Sequence, residues 1–352
     1  MVPHSFDIGG HLIGEGQPVF IIAEAGVNHN GDLDLAHRLV DVAARSGADA
    51  VKFQTAVPER VVSRYADKAN YQMETTDAAE SQLEMVRKLH PFPPEAFQQL
   101  KEHAEESGVV FLSSPFDEPS IDLLDSLSVA AFKIPSGEIT NLPYLKRMAA
   151  TGRPLIMSTG MSSLGEVETA LHEIEQAGND DVVILHCLSN YPADPAEANL
   201  RAMETMATSF GRWVGYSDHT PGIEVTLAAV AMGARVIEKH FTLDRDLAGP
   251  DHAASLTERE LTDMVRGIRI VESAIGDGLK VGAPSEANTA DVARKSLVAA
   301  KDIAAGTVLT EDLIDIKRPG TGLPPAMRPH LVGRTVAVDV PEDTLLTLDA
   351  LH

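Results

Sequence analysis

The chain has 352 residues, of which 44% are hydrophobic and 23% charged, as expected for a globular protein with one large and one small domain. Its formal net charge of −23 argues against nucleic acid or an anionic membrane as a partner, because both bind basic surfaces. The single cysteine excludes an intrachain disulfide, and neither a signal peptide nor an apolar run of roughly 20 residues appears, so we expect a cytoplasmic protein.

Eight short runs of apolar and β-branched residues recur in the first three quarters of the chain and predict buried strands. They occupy residues 19–25, 50–55, 109–114, 131–134, 154–159, 182–187, 213–216 and 236–240. Segments with helical spacing of apolar residues lie between them, for example 33–46, 163–177, 223–232 and 257–275. This alternation predicts an α/β fold of the (β/α)8 TIM barrel type. A doubly wound open sheet is the alternative, less favoured because polar residues follow all eight strands instead of one switch point.

Two segments depart from the alternation of strands and helices. Residues 56–107 form a long insertion with an extra helix ending near Leu89, and we expect it on the active-site face, where it could act as a lid. Residues 277–294 have the composition of a linker. The predicted organisation is a barrel over residues 1–276, a linker over 277–294 and a small β-rich domain over 295–352.

Polar side chains follow the predicted strands, and the ends of parallel barrel strands meet on one rim. Two lysines, several hydroxyls and two glutamates are among them: Glu24, Lys52, Ser114, Lys133, Ser136, Glu138 and Ser158. In a protein that is acidic overall, Lys52 and Lys133 beside these hydroxyls indicate a site for an anionic phosphate or carboxylate. Glu24 and Glu138 are candidates for an acid–base pair.

Two histidines, His219 and His240, close successive predicted strands, so both imidazoles can reach one cation. A pair of histidines leaves coordination positions for water or substrate, as Lewis-acid catalysis requires. Imidazole and oxygen ligands accept Mn2+, Mg2+ or Zn2+, so the residues alone leave the metal open. Cys187 is interpreted as a packing residue, because the neighbouring His186 would point to the opposite face of the strand.

The predicted strands and the loops after them contain the motifs IAEAGVNHNG (22–31), VKFQT (51–55), KIPSGE (133–138), STGM (158–161), GYSDH (215–219) and EKH (238–240), and the tail contains KRPGTG (317–322). The barrel motifs resemble those of the sialic acid (nonulosonic acid) synthases, and the tail motif resembles the antifreeze-like (SAF) domain of those enzymes. The resemblance covers essentially the whole chain. It implies a TIM barrel followed by a small antifreeze-like β-rich domain, in a domain-swapped homodimer where each small domain caps the partner's barrel. The implied activity is that of a transferase, condensing phosphoenolpyruvate with an N-acetylmannosamine-type sugar and water to give a nine-carbon 2-keto acid and phosphate.

The resemblance also implies a role for each matching residue. Phosphoenolpyruvate would be held by Lys52, Ser114, Lys133, Ser136, Ser158 and Ser217, and a divalent cation, Mn2+ by preference or Mg2+, by His219 and His240. The sugar would be contacted by Gln54, Tyr191, Asp251 and Arg318 of the partner subunit, with Glu24 helping to protonate its aldehyde and Glu138 handling the attacking water. The family often has asparagine where this chain has Ser189, which Asn190 follows, so either residue could contact the phosphate.

The acceptor sugar stays open at this point. N-acetylmannosamine would give N-acetylneuraminate, whereas 2,4-diacetamido-2,4,6-trideoxymannose would give N,N'-diacetyllegionaminate. The motifs KIPSGEITN (133–141) and SNYP (189–192) are more similar to bacterial legionaminate and spore-coat-type synthases. A lysine Schiff-base aldolase is a more distant alternative, because Lys52, Lys133 and Lys239 end barrel strands. An ice-binding tail is a third, although Arg318 suits a capping role better.

Overall fold

The computed structural model describes residues 4–77 and 79–352. The chain divides into two compact units, the first ending at Gly276 and the second starting at Asp277. Each unit has an apolar core of its own, so each can be described by itself. Within the described residues, no helix combines the length and the apolar character needed to cross a membrane.

The first unit is built on eight parallel strands, preceded by an antiparallel hairpin of β1 (Phe6–Ile8) and β2 (His11–Ile13). The parallel strands are β3 (Phe20–Gly26), β4 (Ala50–Thr55), β5 (Val110–Pro115), β6 (Phe132–Ile134), β7 (Leu155–Ser158), β8 (Val182–Cys187), β9 (Trp213–Asp218) and β10 (Val236–His240). Their order, β5-β4-β3-β10-β9-β8-β7-β6, brings β5 and β6 side by side and nearly closes the ring. The predicted TIM barrel is therefore confirmed.

Eleven helices occur in the described part of this unit, and most of them form its outer layer. They are α1 (Leu33–Arg45), α2 (Pro58–Val61), α3 (Asn70–Thr75), α4 (Gln82–Leu89), α5 (Pro94–Glu106), α6 (Glu118–Ser126), α7 (Leu142–Ala149), α8 (Leu164–Gln176), α9 (Arg201–Phe210), α10 (Glu224–Ala231) and α11 (Glu258–Ile275). Outward strand residues such as Ile21 and Val51 share one buried cluster with helix residues such as Leu39. Thr257 and Glu260 form a capping box that fixes where α11 begins.

The inner face of the barrel changes character along the strands. Because side chains alternate along a strand, every second residue points inward. The inward residues near the strand starts are apolar, as Ile22, Leu112 and Leu185 are, and they pack against Phe6 and Ile8 of the hairpin. The inward residues near the strand ends are polar. The hairpin thus covers one end of the barrel, and the sequence directs the polar chemistry to the other.

The stretch predicted as one long insertion has two parts. Residues 56–93 carry α2, α3 and α4, whereas α5 is the barrel helix that follows β4 and packs beside α1. Ion pairs hold the short helices together: Arg87 Nε lies 2.7 Å from Glu59 Oε1, and the buried Lys68 Nζ lies 3.1 Å from Glu80 Oε1. The insertion itself is therefore shorter than predicted, and ion pairs join its parts.

The second unit contains α12 (Ala287–Ala293), β11 (Ser296–Ala299), β12 (Ile314–Lys317) and α13 (Arg328–Leu331). Strands β11 and β12 pair in antiparallel fashion, and isolated bridges extend the sheet character of the unit. Its core gathers Leu297, Leu309, Leu331, Val336 and Leu346. Helix α12 lies in the stretch whose composition predicts a linker.

Candidate active site

A cavity of about 440 Å³ lies at the carboxyl ends of the barrel strands. Most of the site residues predicted from the sequence line it: Glu24, Lys52, Gln54, Ser114, Lys133, Ser136, Ser158, Ser189, Tyr191, Ser217, His219, His240 and Asp251. Those on strands converge because the strands are neighbours in the ring and because strand alternation turns these positions inward. Ser136, Ser189, Tyr191 and Asp251 lie in the segments that follow β6, β8 and β10.

Three of the predicted residues lie elsewhere. Glu138 ends a short 3-10 turn after β6 and accepts a hydrogen bond from Asn141 Nδ2 at 2.7 Å, outside the cavity lining. Asn190 is exposed, whereas Ser189 lines the cavity. Arg318 belongs to the second unit. The structure therefore brings Ser189 to the site, and the roles of Glu138 and Arg318 stay predictions.

An ion-pair network surrounds two buried lysines at the base of the cavity. Lys52 Nζ lies 2.8 Å from Glu24 Oε2 and 3.6 Å from Glu238 Oε2. Lys133 Nζ lies 3.3 Å from Glu238 Oε1. The sequence analysis assigns no role to Glu238, although its position on β10 could have indicated that it faces the cavity. It stands two residues before His240 on one strand, so both side chains face the same way.

Burial and neighbouring charges shift the pKa values of the two carboxyl groups of this network in opposite directions. Burial raises the pKa of Glu24 to about 7, against the opposing charge of Lys52. Burial acts the same way on Glu238, but Lys133 and Lys52 outweigh it and lower the pKa of Glu238 to about 2. Near neutral pH, Glu24 can thus hold a proton while Glu238 is ionised. With both lysines protonated, the network carries a net positive charge, which suits an anionic substrate.

Hydroxyl groups complete the anion-binding character of the base. Ser158 Oγ is buried without a hydrogen-bond partner among residues 4–77 and 79–352, so it is available to a ligand. Gly160 leaves room for two other hydroxyls, since a Cβ there would lie 2.9 Å from Ser136 Oγ and would overlap Ser189 Oγ. The remaining contacts are Ser114 Oγ with Lys52 Nζ (2.9 Å), Ser136 Oγ with Gly160 N (3.0 Å) and Ser217 Oγ with Glu238 Oε1 (2.9 Å).

The two predicted metal-binding histidines meet in the same cavity, with ring centroids 5.4 Å apart. His219 Nδ1 donates to the Leu188 carbonyl oxygen at 2.8 Å, which leaves Nε2 for a ligand. His240 Nδ1 is buried and has no hydrogen-bond partner in the described chain, and Asp251 Oδ2 lies 4.0 Å from it. Gly26, whose φ is 54°, leaves room for this ring, because a Cβ there would lie 3.2 Å from His240 Cε1.

An unpartnered, buried imidazole nitrogen fits a metal ligand. Burial, together with the neighbouring His219, lowers the pKa of His240 well below its ordinary value, so the ring is neutral, as a ligand must be. The part of the chain that the structure describes holds no group of three or more His, Cys, Asp or Glu side chains arranged around a cation. A metal here would therefore complete its shell with water or substrate, as an open catalytic site requires.

The insertion supplies one wall of the cavity, and this wall is largely apolar. Its lining residues are Ala56, Val61, Ala69, Tyr71, Gln72, Gln82, Met85, Val86, Leu89 and His90. The Tyr71 ring lies 5.2 Å from that of Tyr191, which in turn lies 4.1 Å from the ring of His219. The expected position of the insertion on the active-site face is confirmed. Sequence patterns did not indicate which of its residues line the cavity, because this depends on the tertiary packing of the short helices. A lid function for the insertion stays a prediction.

Two further residues complete the comparison with the sequence. Cys187 is buried, as a packing residue would be, but it also lines the cavity, where its Sγ lies 3.9 Å from Ser189 Oγ. Lys239 points away from the cavity, to the outer face of the barrel, where its Nζ lies 2.8 Å from Asp218 Oδ2. The aldolase alternative is therefore left with Lys52 and Lys133.

The fold and the site together define a TIM barrel with a cavity at its strand ends that two buried lysines, several hydroxyls and two histidines line. The profile of the NeuB family matches residues 39–280, and that of the SAF domain matches residues 294–352. The chain belongs to the NeuB family, and the resemblance drawn from the sequence motifs is confirmed.

Individual relatives resemble the chain over nearly its whole length. The N,N'-diacetyllegionaminic acid synthase of Campylobacter jejuni is 48% identical over 93% of this chain and 98% of its own length. The N-acetylneuraminate-9-phosphate synthase of Homo sapiens is 39% identical over 95% of this chain and 93% of its own length. The crystal structure of the N-acetylneuraminic acid synthetase of Leptospira borgpetersenii aligns with a TM-score of 0.71 at 35% identity, covering 82% of this chain and 95% of that chain.

Proposed function

We propose that this protein condenses phosphoenolpyruvate with an N-acetylated amino sugar and water, giving a nine-carbon 2-keto acid and phosphate. One observation carries the proposal: the buried Lys52 and Lys133 line the same cavity as the free hydroxyl of Ser158, inside an otherwise acidic protein. Lysine ammonium groups and hydroxyl donors suit the phosphate and carboxylate of phosphoenolpyruvate. The family and its synthase relatives support the same reaction class.

The binding of phosphoenolpyruvate follows from the chemistry of the cavity base. We assign its phosphate and carboxylate to the two lysines and to the surrounding hydroxyls of Ser114, Ser136, Ser158, Ser189 and Ser217. Glu238, ionised between the lysines, holds both ammonium groups in position and offsets part of their charge. Such preorganised donors stabilise the charge that accumulates on the substrate oxygens as the reaction proceeds.

The metal, Mn2+ by preference or Mg2+, would be held by His219 and His240, and it supplies Lewis-acid polarisation of the open-chain aldehyde. As C3 of phosphoenolpyruvate attacks the aldehyde carbon, Glu24 delivers its proton to the aldehyde oxygen. Water then adds at C2, the bond between C2 and the phosphate oxygen breaks, and phosphate leaves. Glu138 would have to exchange its bond to Asn141 for one to this water to act as predicted.

As the acceptor we favour 2,4-diacetamido-2,4,6-trideoxymannose over N-acetylmannosamine. The Campylobacter jejuni relative, named for diacetyllegionaminic acid, supports this choice. So does the insertion wall, because Val61, Val86 and Leu89 suit a C6 methyl group better than a hydroxymethyl group, which would lose hydrogen bonds to water there. Gln54, Tyr191 and Asp251 line the same cavity and are the proposed polar contacts of the sugar.

We also propose a domain-swapped homodimer working in the cytoplasm. In it, Arg318 of the partner subunit would reach the N-acetyl group, and the partner's small domain would exclude bulk water from the reaction. The motif around Arg318, KRPGTG at residues 317–322, supports this assignment through its resemblance to the capping domain of the family. A cytoplasmic location agrees with phosphoenolpyruvate as a substrate and with the absence of an intrachain disulfide.

The test is phosphate release from phosphoenolpyruvate in the presence of Mn2+, with each of the two sugars. We expect release that depends on sugar and metal, with a higher kcat/KM for the diacetamido sugar. A higher kcat/KM for N-acetylmannosamine would make the protein a neuraminate synthase. No sugar-dependent phosphate with either acceptor, from folded protein saturated with Mn2+, would overturn the proposal.

A further inference from the structure

A buried charged residue directly precedes each of the two histidines, and these two residues carry opposite charges. Asp218 precedes His219 at the end of β9, and Lys239 precedes His240 on β10. The two strands pair with Lys239 opposite Asp218, so both side chains leave the barrel on its outer face. There Lys239 Nζ lies 2.8 Å from Asp218 Oδ2, and both side chains are 0% exposed.

This ion pair is the centre of a buried hydrogen-bond network. Asp218 Oδ1 accepts from the backbone N and the Oγ1 of Thr220, at 2.9 and 2.8 Å, and Asp218 Oδ2 accepts from Thr226 Oγ1 of α10 at 2.6 Å. Lys239 Nζ also donates to the Thr220 carbonyl oxygen at 2.7 Å. His219 therefore stands between two residues that one network fixes to β10 and α10.

His240 is held in a comparable way. On one side stands Lys239, and on the other Phe241, whose N donates to the Glu24 carbonyl oxygen at 3.0 Å and whose carbonyl oxygen accepts from Asn28 Nδ2 at 2.8 Å. The peptide segments that carry the two histidines thus meet through the ion pair of Asp218 with Lys239. The pair spans β9 and β10 behind the rings, while the rings face the cavity.

Stability alone is a weak reason for such a pair. Burying two charges costs desolvation free energy that their attraction often only balances, and apolar residues of similar size can be as stable. The pair lies outside the cavity lining, so it does not touch a substrate. What an ion pair adds over apolar packing is a fixed direction and distance between two strands, and metal ligands need such precision.

We propose that Asp218 and Lys239 are positioning residues that set the spacing of His219 and His240 for a divalent cation. The proposal rests on the metal site of the proposed function and assigns that site a supporting network on the opposite side of the barrel wall. Residues that orient metal ligands from behind typically change metal affinity by about 10- to 100-fold when they are removed.

The test measures Mn2+ binding to the full-length protein without substrates, from the electron paramagnetic resonance signal of free Mn2+. We expect Lys239→Met and Asp218→Asn to weaken Mn2+ binding by about 10- to 100-fold, and Lys239→Arg to restore part of it. Thr226→Val keeps both charges and removes one hydrogen bond to Asp218, so it should fold even if the charge variants do not. It should weaken binding to a smaller extent.

Lys68→Met is the matched control, because Lys68 is a similarly buried lysine whose ion pair with Glu80 lies in the insertion. It should lower the melting temperature without changing the Mn2+ dissociation constant. Folded variants at Asp218, Thr226 and Lys239 that bind Mn2+ as tightly as the wild type would overturn the positioning role alone. Failure of the wild type to bind Mn2+ would overturn the metal site and the positioning role together.

Discussion

Glu24 and Glu238 contact the same lysine and yet release their protons at very different pH. Glu238 lies between two ammonium groups, whereas burial dominates for Glu24. The difference gives one carboxyl group that can donate a proton near neutrality and one that stays ionised. Two acidic residues of the same type thereby take different parts in the proposed reaction.

Replacing Glu24 tests its role as the proton donor. Because its pKa in the free protein is raised to about 7, the carboxyl is protonated below that pH and ionised above it, so wild-type kcat/KM should fall as pH rises through about 7. Glu24→Gln should lower kcat/KM by about 100- to 10,000-fold and remove that decline. The measurement is kcat/KM as a function of pH for both proteins. An unchanged decline in the variant would assign the titration to another group.

Adding one methyl group at Gly160 tests the anion-binding hydroxyls. A Cβ there displaces Ser136 Oγ and Ser189 Oγ, so Gly160→Ala should raise the KM for phosphoenolpyruvate by about tenfold or more, as expected for lost hydrogen bonds to a charged group. Gly165→Ala is the control, because its Cβ would meet nothing within 4 Å. Equal KM values for the two variants would mean that these hydroxyls do not bind phosphoenolpyruvate.

The barrel strands carry most of what the sequence could predict. Recurring runs of apolar and β-branched residues identify the strands, and the alternation of side chains along β10 turns Glu238 inward once His240 is assigned to the cavity. The same alternation sends Lys239 outward, where it can take no part as a Schiff-base lysine. The length of the insertion predicts its place on the active-site face, and the structure confirms this place. The individual residues of the wall were not predictable, because α2, α3 and α4 reach the cavity through tertiary contacts that leave no periodic signal. Glu138, on a turn after β6, likewise has no strand register to fix its direction.

A polar substitution in the insertion tests whether this wall selects the sugar. Val86→Asn puts an amide on the apolar wall, so the ratio of kcat/KM for the diacetamido sugar to that for N-acetylmannosamine should fall by about tenfold. Met73→Gln is the control, since Met73 is 44% exposed on α3 and lies outside the cavity lining. A ratio unchanged in both variants would mean that other residues select the acceptor.

The whole molecule is strongly acidic, and its proposed substrates are an anion and a neutral sugar. Because the net charge is −23, long-range attraction cannot bring phosphoenolpyruvate to the cavity. The two lysines must therefore make the charge inside the cavity locally positive. Sequence alone predicts this positive charge from the position of Lys52 and Lys133. The proposed contribution of the partner subunit, in contrast, depends on assembly.

Mixed dimers test that contribution. The Arg318→Ala variant lacks the proposed capping contact, and the Lys133→Met variant lacks one of the two lysines at the bottom of the cavity. Each homodimer should therefore be nearly inactive. In a domain-swapped heterodimer, one cavity combines an intact barrel with the partner's intact small domain, so a randomly mixed population should recover about a quarter of wild-type activity. The measurement is phosphate release after the two variants are unfolded and refolded together. No recovery, with heterodimers demonstrated by mass spectrometry, would exclude the swap.

The most direct test of the central claim follows the bridging oxygen of phosphoenolpyruvate. Phosphoenolpyruvate labelled with 18O at the C2 oxygen is incubated with the protein, Mn2+ and the diacetamido sugar. The masses of the products are then measured by mass spectrometry. If water adds at C2 before phosphate leaves, the label appears in the phosphate and the keto acid carries an oxygen from water. Unlabelled phosphate, with the 18O retained in the keto acid, would contradict the account.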